Sequence, residues 1–214
     1  VAAAARWGLE VTEGPRPRLV FGDLETTGLD PEGGYILEVA FVVVETYHDK
    51  PPAAVKAFRS IVLPGGESLA EVEARMPEKV HAMHIKSGLL EELRWAAGAP
   101  EGDRYTLTKA TAEAAYFLDS NINRKVELAG FNPGFDLGWL KAKMPMVAAR
   151  FGYRPFDCNA FWLRDQYFSE DPSFQKPRAK TAHRAMSDCL DAFKRFGEEW
   201  HKTRSALHYR ALPE

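Results

Sequence analysis

An α/β fold, a central mixed five-stranded sheet flanked by helices, is what this sequence predicts, and three observations carry it. The first half holds three β-rich apolar runs parted by Gly- and Pro-marked turns, which reads as an antiparallel meander. The second half alternates short apolar runs with amphipathic helical segments, so further strands join the same sheet with helices against it. No period of 20–50 residues recurs, which excludes a repeat architecture. With 214 residues, 45% hydrophobic and 27% charged, the chain has the material of one ordinary soluble domain with a sizeable core.

Residues 1–17, closing with Gly14-Pro15-Arg16-Pro17, read as an extended lead-in without the basic start or long apolar stretch of a signal peptide. The domain is expected over 18–201, with a short tail over 202–214. Leu19–Glu25 is the first strand. After the Gly28–Gly34 turn, Tyr35–Thr46 is long, β-branched and nearly continuous, as a central strand should be. Pro51-Pro52 breaks the chain, and Val55–Leu63 returns as the third strand.

Ser68–Met76 reads as a short helix, with Ser68 and Glu71 spaced as a capping box. Lys86–Trp95 is a second. Thr106 or Thr108 opens a longer one to about Asp119, with Ala110, Ala114, Ala115, Phe117 and Leu118 on one side. Val126–Phe131 is a buried fourth strand, and Asp136 starts the helix after it. Arg154–Asp157 forms a short fifth strand, and the final helix runs from about Ala182 beyond Trp200. Trp139 and Trp162 are expected in the core.

Cys158 and Cys189 are far apart in sequence and form no CxxC, so free, buried thiols and a reducing, cytoplasmic compartment are expected. No apolar run approaches the roughly 20 residues of a membrane span.

The chemistry begins where the first strand ends, at Asp23-Leu24-Glu25. Side chains alternate along a strand, so both carboxylates point to one face. Two carboxylates there repel and lose hydration unless a cation lies between them, and a hard divalent ion takes oxygen ligands. Asp136 sits in unusually apolar company, Phe131-Asn132-Pro133-Gly134-Phe135-Asp136-Leu137. His183 and Asp188 are five residues apart, a helical rotation of about 140°. A working pair therefore needs His183 at the helix entrance and Asp188 one turn inside. Taken singly, Asp136, His183 and Asp188 read equally well as a helix-dipole carboxylate, a capping histidine and a surface acid.

Together, the five residues resemble the DEDDh family of 3′–5′ exonucleases, which has a ribonuclease-H-like fold. That family's first motif, D-x-E, matches Asp23 and Glu25; a later Asp matches Asp136; its H-x-x-x-x-D matches His183 and Asp188. The resemblance spans about residues 18–197. It implies that Asp23, Glu25, Asp136 and Asp188 hold two divalent ions, Mg²⁺ or Mn²⁺, about 3.5–4 Å apart. One activates water and the other steadies the leaving 3′ oxygen. It implies that His183, a side-chain type that titrates near neutrality, is the general base. The product is a 5′-mononucleotide. Thr26, Thr27 and Leu29 are expected at the terminal nucleotide, Leu29 as an apolar wedge between the last two bases.

Two branches of the family share the remaining features. His84-Ile85-Lys86-Ser87-Gly88-Leu89, Ala185-Met186 and Tyr153-Arg154 upstream of Asp157 resemble oligoribonuclease, which degrades very short RNA as a dimer. There the Tyr-Arg pair serves the active site, with the Arg helping to cap the 5′ phosphate. Asn132-Pro133-Gly134-Phe135-Asp136, Thr26-Thr27-Gly28-Leu29 and Val80-His81-Ala82-Met83 are instead similar to the proofreading exonuclease of DNA polymerases, with ribonuclease T nearby. Phe135-Asp136-Leu137-Gly138 replaces the Gln-Asp-Arg-Arg of oligoribonuclease.

His81 and His84, three apart with no Cys or carboxylate beside them, are weak zinc ligands and are expected at the substrate, as is Asn132. A net charge of −2 suits a short or single-stranded RNA or DNA held largely through metal ions better than a long duplex. The expected enzyme is thus an oligoribonuclease-like homodimer; the alternative is a proofreading-type DNA exonuclease, with a polymerase partner possible but not indicated. A catalytically silent nucleic-acid-binding module is a third reading, disfavoured by five intact residues.

Overall fold

The computed structural model describes residues 18–47, 50–100, 104–168 and 182–209, with side chains as far as 203. The lead-in expected over 1–17 and the end of the expected tail, 210–214, lie outside the described residues.

Strands β1 (Leu19–Thr26), β2 (Ile36–Glu45) and β3 (Ala53–Ile61) form the antiparallel meander, and β4 (Leu128–Gly130) and β5 (Phe156–Asp157) add in parallel. The order is β3-β2-β1-β4-β5, a mixed five-stranded sheet with β1 at its centre. The helices are α1 (Leu69–Arg75), α2 (Glu78–Lys86), α3 (Leu89–Ala97), α4 (Leu107–Asn121), α5 (Pro133–Lys143), α6 (Pro145–Ala148), α7 (Asn159–Phe168) and α8 (Ala185–Tyr209).

The alternation of β1 decides which helices meet the acids. Val20 and Leu24 face a core shared with Val39, Phe41, Ala114, Leu118 and Leu140, which places α4 and α5 on that side. Phe21 faces the other way, into a cluster with Ala40, Val42, Ala185, Cys189 and Ala192 of α8. Asp23 and Glu25 share the phase of Phe21, so they look toward the start of α8. A third cluster, Leu37 and Ile61 with Val72, Leu90 and Leu93, seats α1 and α3.

Local chemistry explains the boundaries. Ser68 and Glu71 form the reciprocal capping box of α1. Thr106, not Thr108, caps α4 by accepting the Lys109 amide at 3.3 Å. The helix expected over Lys86–Trp95 is instead two helices, α2 and α3, broken at Gly88 with φ of 76°. That left-handed turn suits glycine. Helix α2 buries only His84, so it carries almost no apolar stripe to announce it, and α7 buries no residue at all.

Strand β4 is shorter than Val126–Phe131, although Val126 still bridges Phe151. The final helix starts at Ala185, three residues later than expected, and runs to Tyr209, so the segment expected as a tail from 202 is helical that far. Trp139 is buried as expected, whereas Trp162 is only half-buried on α7. Cys158 and Cys189 are free and buried, and burial raises both thiol pKa values, Cys158 to about 12. Neither is a reactive thiolate at neutral pH.

Candidate active site

Strand β1 carries Asp23 and Glu25 to the end of its ladder with β2, where the register shifts between Glu25 and Thr26. Pro133 opens α5 and puts Asp136 in its first turn. There the Asp136 carboxylate accepts the Leu24 amide at 3.0 Å, which pins it to the strand between the two β1 acids. Asp188 lies in the first turn of α8, and His183 stands two residues before that helix. Glu25, His183 and Asp188 each offer a ligand atom within 4.8 Å of the other two. Three elements distant in sequence, β1, α5 and the entrance of α8, thus converge at one end of the sheet.

The electrostatics of this corner are strained in one direction. Burial, then Asp136, Glu25, Asp188 and Glu38 in turn, push the Asp23 pKa well up. Glu25 rises to about 8 by burial and by repulsion from Asp188, Glu38 and Asp136, with Arg184 opposing. Burial raises Asp136 to about 7 against the pull of the Leu24 amide, and burial raises Asp188 to about 6. The buried Oδ1 of Asp188 has no hydrogen-bond partner. Crowded carboxylates, their mutual repulsion and an orphaned carboxylate oxygen fit a hard divalent cation. Among the described residues, Glu25, His183 and Asp188 are the group whose ligand atoms lie close enough together to share an ion, with Asp136 bonded to the same strand beside them.

The remaining sequence candidates divide. Thr26 and Thr27 are buried and use their hydroxyls inside the turn, Thr26 donating to the Gly28 carbonyl and Thr27 accepting the Tyr35 amide. Leu29 stands out at 84% exposure, on the rim of a cavity of about 240 Å³ that Thr27, Tyr35, Val72, Met76 and Pro77 also line. Asn132, exposed at the N-cap of α5 with φ of 56°, donates its amide to Asp157.

His81 is half-buried with Nε2 3.5 Å from Glu73. His84 departs from the expectation of a substrate contact, because it is fully buried behind β1. Its Nε2 donates to the Thr26 carbonyl at 2.9 Å, and its Nδ1 lies 3.7 Å from Glu25. Burial lowers its pKa, so a neutral His84 supports the acidic strand from beneath.

Tyr153 and Arg154 are not brought to these acids. Phe156 is level with Phe21 through their common partner Ala129, so Tyr153, three residues earlier, lies at the opposite end of β1 from Glu25. Tyr153 is 77% exposed there, with the Arg154 guanidinium 4.9 Å from its ring centre.

No family model matches the chain. Curated relatives do. An oligoribonuclease of Tropheryma whipplei is 30% identical over 179 residues, covering 83% of this chain and 89% of that protein. One of Streptomyces avermitilis is 30% identical over 177 residues, covering 82% of this chain and 81% of the relative. The chain belongs to the oligoribonuclease family. A third such relative, from Corynebacterium diphtheriae, is 27% identical over 190 residues, 87% of this chain and 83% of its own.

Two residues of this oligoribonuclease-family site escaped the sequence reading. Asp157 ends β5 and accepts the amides of Asn132 at 3.1 Å and Asn159 at 2.8 Å, joining the turns that enter α5 and α7. Glu38 is opposite Glu25 in the β1–β2 register and completely buried. Its signal was a lone acid inside the apolar run Ile36–Val44.

Proposed function

We propose that this chain is a 3′–5′ exonuclease that hydrolyses short single-stranded RNA to 5′-mononucleotides. The observation that supports this best is the convergence of Glu25, His183 and Asp188 within 4.8 Å, with Asp136 pinned to the same strand. In this reading the four acids hold Mg²⁺ or Mn²⁺, which when bound supply an activated water and stabilise the leaving 3′ oxygen. His183 takes the proton of the attacking water. Thr26 and Thr27 hold the turn that presents Leu29, and Leu29 separates the terminal base, which enters the cavity between Tyr35 and Met76. Asn132 approaches the phosphate from the α5 entrance, and His81 remains a contact at the edge.

Tyr153 and Arg154 serve the site of a second copy, because their own acids are at the other end of β1. The enzyme is then a homodimer. No described helix is long and apolar enough to cross a membrane, and the reading places the enzyme in the cytoplasm.

The Asn132–Asp136 segment favours, as a second reading, a proofreading-type DNA exonuclease acting with a polymerase. One assay separates them. Protein with Mn²⁺ receives a 5′-labelled dinucleotide, heptamer and 24-mer, each as RNA and as DNA. The proposal expects the RNA dinucleotide to be consumed first; steady shortening of the DNA 24-mer instead selects the second reading. An Asp136→Ala variant as active as wild type overturns both.

A further inference from the structure

His183 has φ of 50°, a left-handed conformation uncommon for residues other than glycine. The two residues after it are both anchored to one carboxylate. The Ala185 amide donates to Glu38 Oε2 at 2.9 Å. Arg184 forks onto the same carboxylate, Nε to Oε2 at 3.1 Å and Nη2 to Oε1 at 3.0 Å. Arg59 also donates to Glu38 Oε1, and both arginines bind Glu92. Glu38 is fully buried on β2, which pairs antiparallel with β1 along the whole of that strand.

Glu38 shares a sheet face with Asp23 and Glu25, which invites its reading as a further metal ligand. The donor census argues otherwise. Both its oxygens are engaged by the Ala185 amide and two guanidinium groups, whereas the Asp188 Oδ1 is engaged by nothing. A charge-assisted fork is also geometrically specific. It fixes the Arg184 and Ala185 backbone relative to β2, and therefore the direction in which the preceding left-handed residue throws its imidazole.

We infer that Glu38, through Arg184 and the Ala185 amide, is a positioning residue that locks His183 in its left-handed conformation so that its imidazole faces Glu25 and Asp188. This rests on the exonuclease reading only in that His183 is the base. A base must meet its proton within hydrogen-bond reach, so a loosened His183 slows the chemical step without weakening the hold on substrate.

The test is a double-mutant cycle on the full chain with Mn²⁺ and an RNA dinucleotide. Glu38→Gln keeps an acceptor oxygen and loses the charge; it should lower kcat at least about ten-fold with KM changed less than about two-fold. In a His183→Ala background the same substitution should lower kcat by less than about two-fold, because the group it positions is gone. A kcat loss of equal size in both backgrounds overturns the inference and makes Glu38 merely structural, and so does a wild-type kcat in Glu38→Gln. Should Glu38→Gln fail to fold, Arg184→Lys, which keeps the charge and loses the fork, carries the same expectations. Amide exchange of Ala185 reads the anchor without any turnover: it should quicken in Glu38→Gln, and unchanged protection overturns the anchor. A wild-type protein that hydrolyses no RNA, or a fully active His183→Ala, would sink the exonuclease reading while leaving the exchange result to decide the anchor.

Discussion

The Asp136 carboxyl accepts the Leu24 amide at 3.0 Å while burial holds its pKa near 7, so it combines a structural bond with an unwelcome charge. Substitution can separate these. Asp136→Asn keeps an oxygen for the Leu24 amide and removes a charge that repels Asp23. Stability should therefore hold or rise, whereas hydrolysis should fall by more than the roughly 10–100-fold typical of outer-shell partners of a metal. Thermal melts beside kcat/KM measure both. Activity within ten-fold of wild type would remove Asp136 from the metal-holding set. The acids of β1 were legible in the sequence because a strand's alternation fixes their common face from local information. Glu38 was not, since its meaning depends on lying opposite Glu25 across the β1–β2 ladder, and on Arg184, 146 residues away.

At the scale of elements, the distance between Asp136 and the β1 acids is set by how closely β4 approaches β1. A Cβ at Gly130 would stand 2.9 Å from the Gly22 carbonyl, a backbone atom with little freedom to yield. Gly130→Ala should therefore push β4 away from β1 and carry the entrance of α5 with it. Displacements near 1 Å at a reacting centre cost on the order of 100-fold. The expected result is a kcat loss of that order together with a lower Tm, and a crystal structure of the variant would show the widened β1–β4 gap. Wild-type kcat and Tm together would show that the strands yield without moving the site. The strands and the capped helices α1 and α4 could be read locally, from β-branched runs and from Ser68 and Thr106. Helices α2 and α7 could not, because one buries a single histidine and the other nothing, so neither leaves a hydrophobic period to detect.

Across the whole molecule, folding collects Asp23, Glu25, Asp136 and Asp188 at one corner of a chain whose net charge is only −2. Each binds its proton more tightly folded than unfolded, where carboxyls titrate near about 4. Their contribution to stability is therefore fullest below about pH 4 and is lost as pH climbs through the folded values, about 6 for Asp188, 7 for Asp136 and 8 for Glu25. The ion-paired Glu73, Glu92 and Asp165 shift downward instead. What they contribute is present above their unfolded values and fades only below about pH 4.5, outside that window. In chelator, Tm should consequently fall between pH 5 and 8.5. Mn²⁺ at about 100 times its Kd adds about 2.7 kcal/mol, which at 2–4 °C per kcal/mol for a domain of this size raises Tm by roughly 5–10 °C. The rise should be largest at pH 8 and smallest at pH 5, where protonated carboxyls bind an ion poorly. Melts in chelator and in Mn²⁺ at pH 5, 6.5 and 8 make the comparison. A metal-free Tm that climbs steadily toward pH 8 would mean that the four acids are not crowded together in solution, and the two-metal reading would lose its physical basis.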